Sequence, residues 1–103
     1  FREVMKLSLS EDTVQKGWEK GKIVANYDKD KYRKDQCDAW ITRTEYGNRG
    51  SLYGWEIDHI LPEGGDNLSN LRPLQWKNNV TKSEGRLKCP VTAEGNKNVE
   101  KEE

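Results

Sequence analysis

Gly54-Trp55-Glu56-Ile57-Asp58-His59-Ile60-Leu61-Pro62 carries the chain's one histidine, and the residues after it are punctuated by glycine, asparagine and proline. They run Gly64-Gly65-Asp66-Asn67-Leu68-Ser69-Asn70-Leu71-Arg72-Pro73-Leu74, then Asn78-Asn79-Val80-Thr81-Lys82. Apolar Trp55 and Ile57 alternate with polar residues, which predicts a strand over 55–60. Pro62 ends it, because proline has no amide hydrogen to give a ladder. Gly64-Gly65 then opens a loop that Asn67 and Asn70 can brace, since short amides bond readily to nearby backbone. Residues 71–74 are long enough only for an edge strand. Residues 75–84 predict a helix with Gly85 as its stop. The order is strand, loop, short strand, helix.

Upstream, Ser10 before Glu11 and Asp12 reads as a helix start, with a capping hydroxyl and acids in the first turn. Val14 and Trp18 give that helix one apolar face, Trp18 serves as a core anchor, and Gly21 stops it. Residues 22–36 show no period and read as a loop with room for one helical turn. Residues 39–44 are aromatic and β-branched, a strand pattern. Tyr46-Gly47-Asn48-Arg49-Gly50-Ser51 reads as a turn. The segment beyond Pro90 is polar and acidic and is expected to be partly disordered. These elements divide the chain into an N-terminal helical and loop segment (1–36), a core (37–88) and a tail (89–103).

The chain of 103 residues has room for one small domain, with 32% hydrophobic and 35% charged residues. Apolar packing is therefore stretched, and the four Trp and four Tyr carry much of the burial. No apolar run approaches the roughly 20 residues needed to cross a bilayer. No membrane partner is expected, no secretion pattern is visible, and the expectation is a cytoplasmic chain. Net charge is zero. Lys29, Lys31, Arg33 and Lys34 cluster around Tyr32, either as a phosphate-facing patch or, more commonly, as a solvated surface. Cys37 and Cys89 are too few for a structural zinc site even with His59 added. One disulfide is open to them; the preferred reading takes Cys37 as a half-buried apolar residue and Cys89 as a free thiol.

If the strand holding Asp58 packs on the helix holding Asn79, a carboxylate oxygen and an amide oxygen come within reach of one hard cation. Magnesium or manganese accepts such oxygens and keeps its other positions for water and phosphate. Histidine, whose unperturbed pKa as a residue type lies near ~6.5, is suited to take a proton from water at neutral pH, and His59 is the chain's one histidine. Asn78 and Asn79 leave a helix about 100° apart, so only one can face such an ion. Lys82, at i+3 from Asn79, shares its face and is either a phosphate contact or a solvated charge. Strict alternation sends Asp58 and His59 to opposite sides of a strand, so both line one site only if the strand ends or bends there.

These residues resemble the HNH endonuclease family with its ββα-metal core. The match covers residues 54–82: Trp-Glu-Ile-Asp-His-Ile-x-Pro, Gly-Gly-Asp, Asn-Leu-x-Pro-Leu and Asn-Asn-x-x-Lys. The resemblance implies an α+β fold, a ββα-metal nuclease core with an extra N-terminal helix and strand. It implies His59 as the general base, oriented by Asn70, and Asp58 with Asn79 as metal ligands, a His-Asn-Asn variant. Many relatives carry Cys-x-x-Cys pairs, one of which would fall at Gln75 and Asn78. This chain has none there, so no structural zinc is expected, and packing of Trp40, Trp55 and Trp76 must hold the site instead. Glu56 shares the face of Asp58. It either joins the ion's outer shell or, by preference, pairs with an arginine such as Arg43. Arg72 is either a phosphate contact or a surface charge.

The resulting expectation is a Mg²⁺- or Mn²⁺-dependent endonuclease acting on DNA, with RNA as an open alternative substrate. Nothing resembles a base-reading helix, so fused domains, protein partners or a homo-oligomer would choose its targets. The rival expectation is a non-catalytic nucleic-acid-binding or protein-interaction module on the same fold.

Overall fold

Ser10 starts the first helix, α1 (Glu11–Trp18), by accepting the Thr13 amide on its hydroxyl at 3.1 Å. Glu11 and Asp12 stand in the first turn, where the helix dipole favours acids. One face buries Val14 and Trp18. The computed structural model describes residues 9–83 and 86–101, so the expected stop at Gly85 lies outside the described residues. Within them, two α-helices and three two-stranded antiparallel sheets form a small α+β domain. No helix among the described residues is long and apolar enough to cross a membrane.

Residues 22–36 differ from the expected loop. They contain β1 (Tyr32–Lys34), which pairs with β2 (Trp40–Thr42), the latter lying within the strand expected over 39–44. A three-residue strand leaves too short a pattern to read, and its pairing partner defines it. Arg33, one of the clustered basic residues, is buried. Its guanidinium donates to the carbonyls of Lys29, Glu19 and Gly21 at 2.9, 2.9 and 3.2 Å. It thereby closes the C-terminal end of α1, where a cation meets the negative end of the dipole. Arg33 therefore faces the protein rather than a phosphate.

The next strand, β3 (Trp55–His59), pairs along its whole length with β4 (Leu71–Gln75), with Asp58 directly opposite Arg72. Among the described residues β4 pairs with β3 alone, so Pro73 fits in β4 without costing an inner ladder bond. Trp55 packs on Trp18 with ring centroids 5.2 Å apart, and on Tyr46 at 4.9 Å. With Val14, Ile41 and Ile57, these rings make the apolar core between α1 and β3.

The second helix, α2 (Trp76–Val80), is shorter than the 75–84 expected. Gln75 caps it with a side-chain oxygen that accepts the amides of Lys77 and Asn78 at 2.8 and 3.1 Å. Asn78, Asn79, Val80 and Thr81 are weak helix formers, and the Thr81 hydroxyl turns back to the Lys77 carbonyl at 2.8 Å.

The tail corrects the sequence reading most. Val91–Glu94 and Lys97–Glu100 form a hairpin, β5–β6, turned at Gly95 with φ 64°. Side-chain amides fasten it. Asn98 accepts the Trp40 amide at 2.7 Å and donates to the Trp40 carbonyl at 2.8 Å, imitating a strand partner. Asn78 treats Val91 the same way, with both bonds at 2.9 Å. Cys37 and Cys89 are joined in a disulfide, so neither the apolar-residue nor the free-thiol reading holds. A polar composition hid this order because amide bonds, more than apolar area, dock the hairpin.

The disulfide closes a sequence separation of 52 residues. Cys37→Ser, or reductant, is expected to lower unfolding stability by about 3–4 kcal/mol, seen as a lower urea midpoint. Equal midpoints with and without reductant would contradict a structural role for the bridge.

Candidate functional site

Alternation along β3 packs Trp55 and Ile57 toward α1 and turns Glu56 and Asp58 toward the other side. Asp58 is 4% exposed, and both its oxygens are engaged. Arg72, its cross-strand partner, donates Nε to Oδ2 at 2.7 Å. Lys82, two residues beyond α2, places Nζ on Oδ1 and also reaches the His59 carbonyl at 3.3 Å. Two cations thus hold one carboxylate. Arg72 and Lys82, each read from sequence as either a phosphate contact or a solvated charge, stand here as partners of Asp58. Arg72 is buried, which removes the surface-charge reading.

Glu56 lies two positions earlier on the same face. Its partner is Arg49, in a bidentate pair at 2.6 and 3.0 Å, rather than Arg43. Arg43 instead donates to Gln15 at 3.0 Å and lies over the Trp55 ring. Glu56 also accepts the Asn79 amide nitrogen at 2.8 Å. That bond commits Nδ2 of Asn79, so its Oδ1 is the atom left for a cation or a donor. Asn78, the neighbouring amide, is buried and spent on Asp35 and Val91.

His59 closes β3, and its Nε2 lies 2.6 Å from Asp66 Oδ1. Asp66 belongs to the loop opened by Gly64 and Gly65. Gly65 has φ 82°, a conformation glycine adopts without strain. A Cβ at Gly64 would sit 2.8–3.1 Å from the Asn70 amide atoms, so only a bare backbone fits against Asn70. Asn70 accepts the Leu61 amide at 2.9 Å and donates to the carbonyls of Leu61 and Gly65 at 3.0 and 2.9 Å. Its own carbonyl accepts Ile60 N–H at 2.8 Å. One asparagine therefore sets the path from His59 to Asp66. Asp66 was part of the quoted Gly-Gly-Asp motif, but local sequence gives no sign that it meets His59.

Asp35 carries no role in the sequence reading, yet it stands behind the site. Its Oδ1 accepts the amides of Cys37 and Ala39, both at 2.9 Å. Its Oδ2 accepts the Gln75 amide at 2.9 Å and the Asn78 side chain at 3.2 Å. Burial pushes its carboxyl above the usual value of 3.8, and the four N–H donors oppose that rise. Gln75 and Asn78 both bond to this one carboxylate. The aspartate two residues before Cys37, in a turn-forming run, was the local signal for the Oδ1 half of the arrangement.

Both oxygens of Asp58 are taken by Arg72 and Lys82, and the Asn79 side chain meets Glu56. Lys82 already brings a positive charge to the Asp58 carboxylate and the His59 carbonyl, two hard oxygens. Among the described residues no group of three or more His, Cys, Asp or Glu side chains gathers as a metal cluster.

Asp35→Asn turns one acceptor into an NH₂ group facing N–H donors. It is expected to cost about 2–3 kcal/mol, measured as a shifted denaturant midpoint; an unchanged midpoint would show that the four bonds do not support the fold. Compared with family models, curated proteins and solved structures, the chain shows no match.

Proposed function

We propose that the chain is an endonuclease that hydrolyses DNA phosphodiester bonds with one Mg²⁺ or Mn²⁺ ion, on a ββα-metal core of the HNH type formed by β3, β4 and α2. The observation that carries this reading is the run Asp58-His59 at the end of β3. There a buried carboxylate, oxygens already facing a cation and an Asp-partnered imidazole occur within two residues.

Asp66 accepts Nε2–H of His59, so the Nδ1 lone pair is the base. His59 takes a proton from water as the water oxygen bonds to phosphorus and the bond to the leaving sugar oxygen breaks. General-base assistance of this kind is worth ~10²–10⁴ in rate. Asp66 steadies the imidazolium that forms. Asn70 holds the loop that presents Asp66, and so positions the base without touching substrate. Arg72 holds the Asp58 carboxylate in place. Asp58 and Asn79 would hold the divalent ion, which when bound polarises the phosphate and stabilises the leaving oxygen.

DNA is the proposed partner, with RNA as the alternative substrate. With no base-reading helix among the described residues, target choice falls to fused domains, protein partners or a second copy. A cytoplasmic location sits poorly with the Cys37–Cys89 bridge, because such bonds persist mainly in oxidising compartments. The competing reading, a non-catalytic nucleic-acid or protein-binding module, gives no reason for a histidine and aspartate to be paired beside Asp58.

A plasmid-nicking assay separates the two. Cutting is expected with Mg²⁺ or Mn²⁺ and none with EDTA; parental protein that binds DNA but never nicks it supports the module instead. His59→Ala should lower cutting at least ~10²-fold while gel-shift affinity stays near the parental value. Undiminished cutting by that variant would remove His59 from the mechanism. Asn79→Ala should raise the half-saturating Mn²⁺ concentration about 10-fold or more, and an unchanged titration would remove Asn79 as a ligand.

A further inference from the structure

Arg72 has a third nitrogen that the proposed chemistry leaves aside. Nε holds Asp58, and Nη1 donates to Gln36 at 2.7 Å. Nη2 is buried and has no hydrogen-bond partner among the described residues. Buried donors are normally satisfied, so an orphan on an arginine that is 8% exposed calls for an acceptor. Arg72 also lines a cleft of about 90 Å³, together with Lys20, Lys22, Lys34, Asp35 and Gln36.

The charge of that cleft is lopsided. Lys20 donates to the carbonyls of Leu68 and Leu71, and no carboxylate pairs with it among the described residues. Lys22 and Lys34 face each other across an antiparallel bridge, their backbones bonded at 2.8 and 3.0 Å. Like charges directly opposite one another are destabilising. Both share the single half-exposed carboxylate of Asp38, at 3.9 and 3.5 Å. Asp35 also lines the cleft, but its buried oxygens are turned to four N–H donors rather than to the lysines, so it forms no ion pair with them. Four cations thus border a small opening in a chain of zero net charge.

We infer that this cleft is a phosphate-binding pocket, in which Lys20, Lys22, Lys34 and Nη2 of Arg72 take the oxygens of one phosphoryl group. A compact group with several acceptor oxygens suits converging ammonium and guanidinium donors better than a single carboxylate does. The flexible Lys20 chain moves off its two carbonyls to admit the ligand. Arg72 ties the pocket to Asp58, so a phosphate held there lies one guanidinium away from the acid of the proposed nuclease. The shared ligand chemistry has two sources, a backbone phosphate of a bound strand and free phosphate. Only the first rests on the nuclease reading.

The test is a titration of the ¹⁵N-labelled full chain in EDTA with inorganic phosphate, at ionic strength held constant with chloride. Saturable shifts are expected at the amides of Lys20, Lys22, Lys34 and Arg72 and at the Arg72 Nε–H. Lys22→Gln, on an exposed side chain, and Lys34→Gln, on a partly covered one over the Trp40 ring, should each weaken binding several-fold, with an unchanged urea midpoint checking that the fold is kept. Shifts that stay linear in phosphate, spread over the whole surface, or persist unchanged in both variants would overturn the pocket. Adding a 5′-hydroxyl oligonucleotide to the phosphate-saturated chain identifies the source: displacement of phosphate supports a backbone phosphate, and none supports free phosphate. The titration needs no metal and no cleavage. Parental protein that fails to nick DNA yet binds phosphate here loses the nuclease reading alone, and one that nicks without these shifts loses the pocket alone.

Discussion

The carboxylate of Asp35 joins parts of the chain that have little else to hold them in register. It takes two amides from the turn between β1 and β2, one from the last residue of β4 and one from the side chain of Asn78 in α2. A chain with this little apolar content cannot fix three small sheets by burial alone. A buried anion with four donors supplies direction that apolar contact lacks, because each bond is lost when the pieces shift by an ångström or so. Where β3–β4 and α2 sit relative to β1–β2 follows from that constraint.

The same device recurs outward from it. Asn78 and Asn98 each accept and donate to one backbone residue, Val91 and Trp40, and so stand in for missing strands. Asn70 does likewise for Leu61, and through it for the loop carrying Asp66. Side-chain amides suit this because one group offers both an acceptor and two donors. The apolar cluster around Trp18 and Trp55 then needs only to seat α1 on β3. The division of labour places the charged residues of the candidate site on the face of β3 opposite that cluster.

That face is crowded with opposed charges. Asp58 is held by Arg72 and Lys82, and Glu56 by Arg49 and Asn79. The buried Asp58–Arg72 pair contributes little net stability against apolar replacements, since desolvation offsets attraction. The more exposed Glu56–Arg49 pair contributes little because water screens it. Their concentration beside a histidine paired with an aspartate is what supports a chemical rather than a structural reading of β3.

The sequence by itself determined what acts over a few residues: the hydroxyl cap at Ser10, a strand begun at Trp55 and closed before Pro62, and a glycine-opened loop within reach of Asn70. These follow from backbone preferences and from short side chains bonding to nearby amides, which barely depend on the rest of the chain. Tertiary structure alone decided the partners of charged and thiol groups. Arg49 rather than Arg43 meets Glu56, Lys82 turns onto Asp58, Cys37 finds Cys89, and a polar tail becomes a docked hairpin. For long side chains many partners are locally equivalent. Which one wins is set by whole-chain competition to leave no buried charge or amide unsatisfied, and no single segment contains that information.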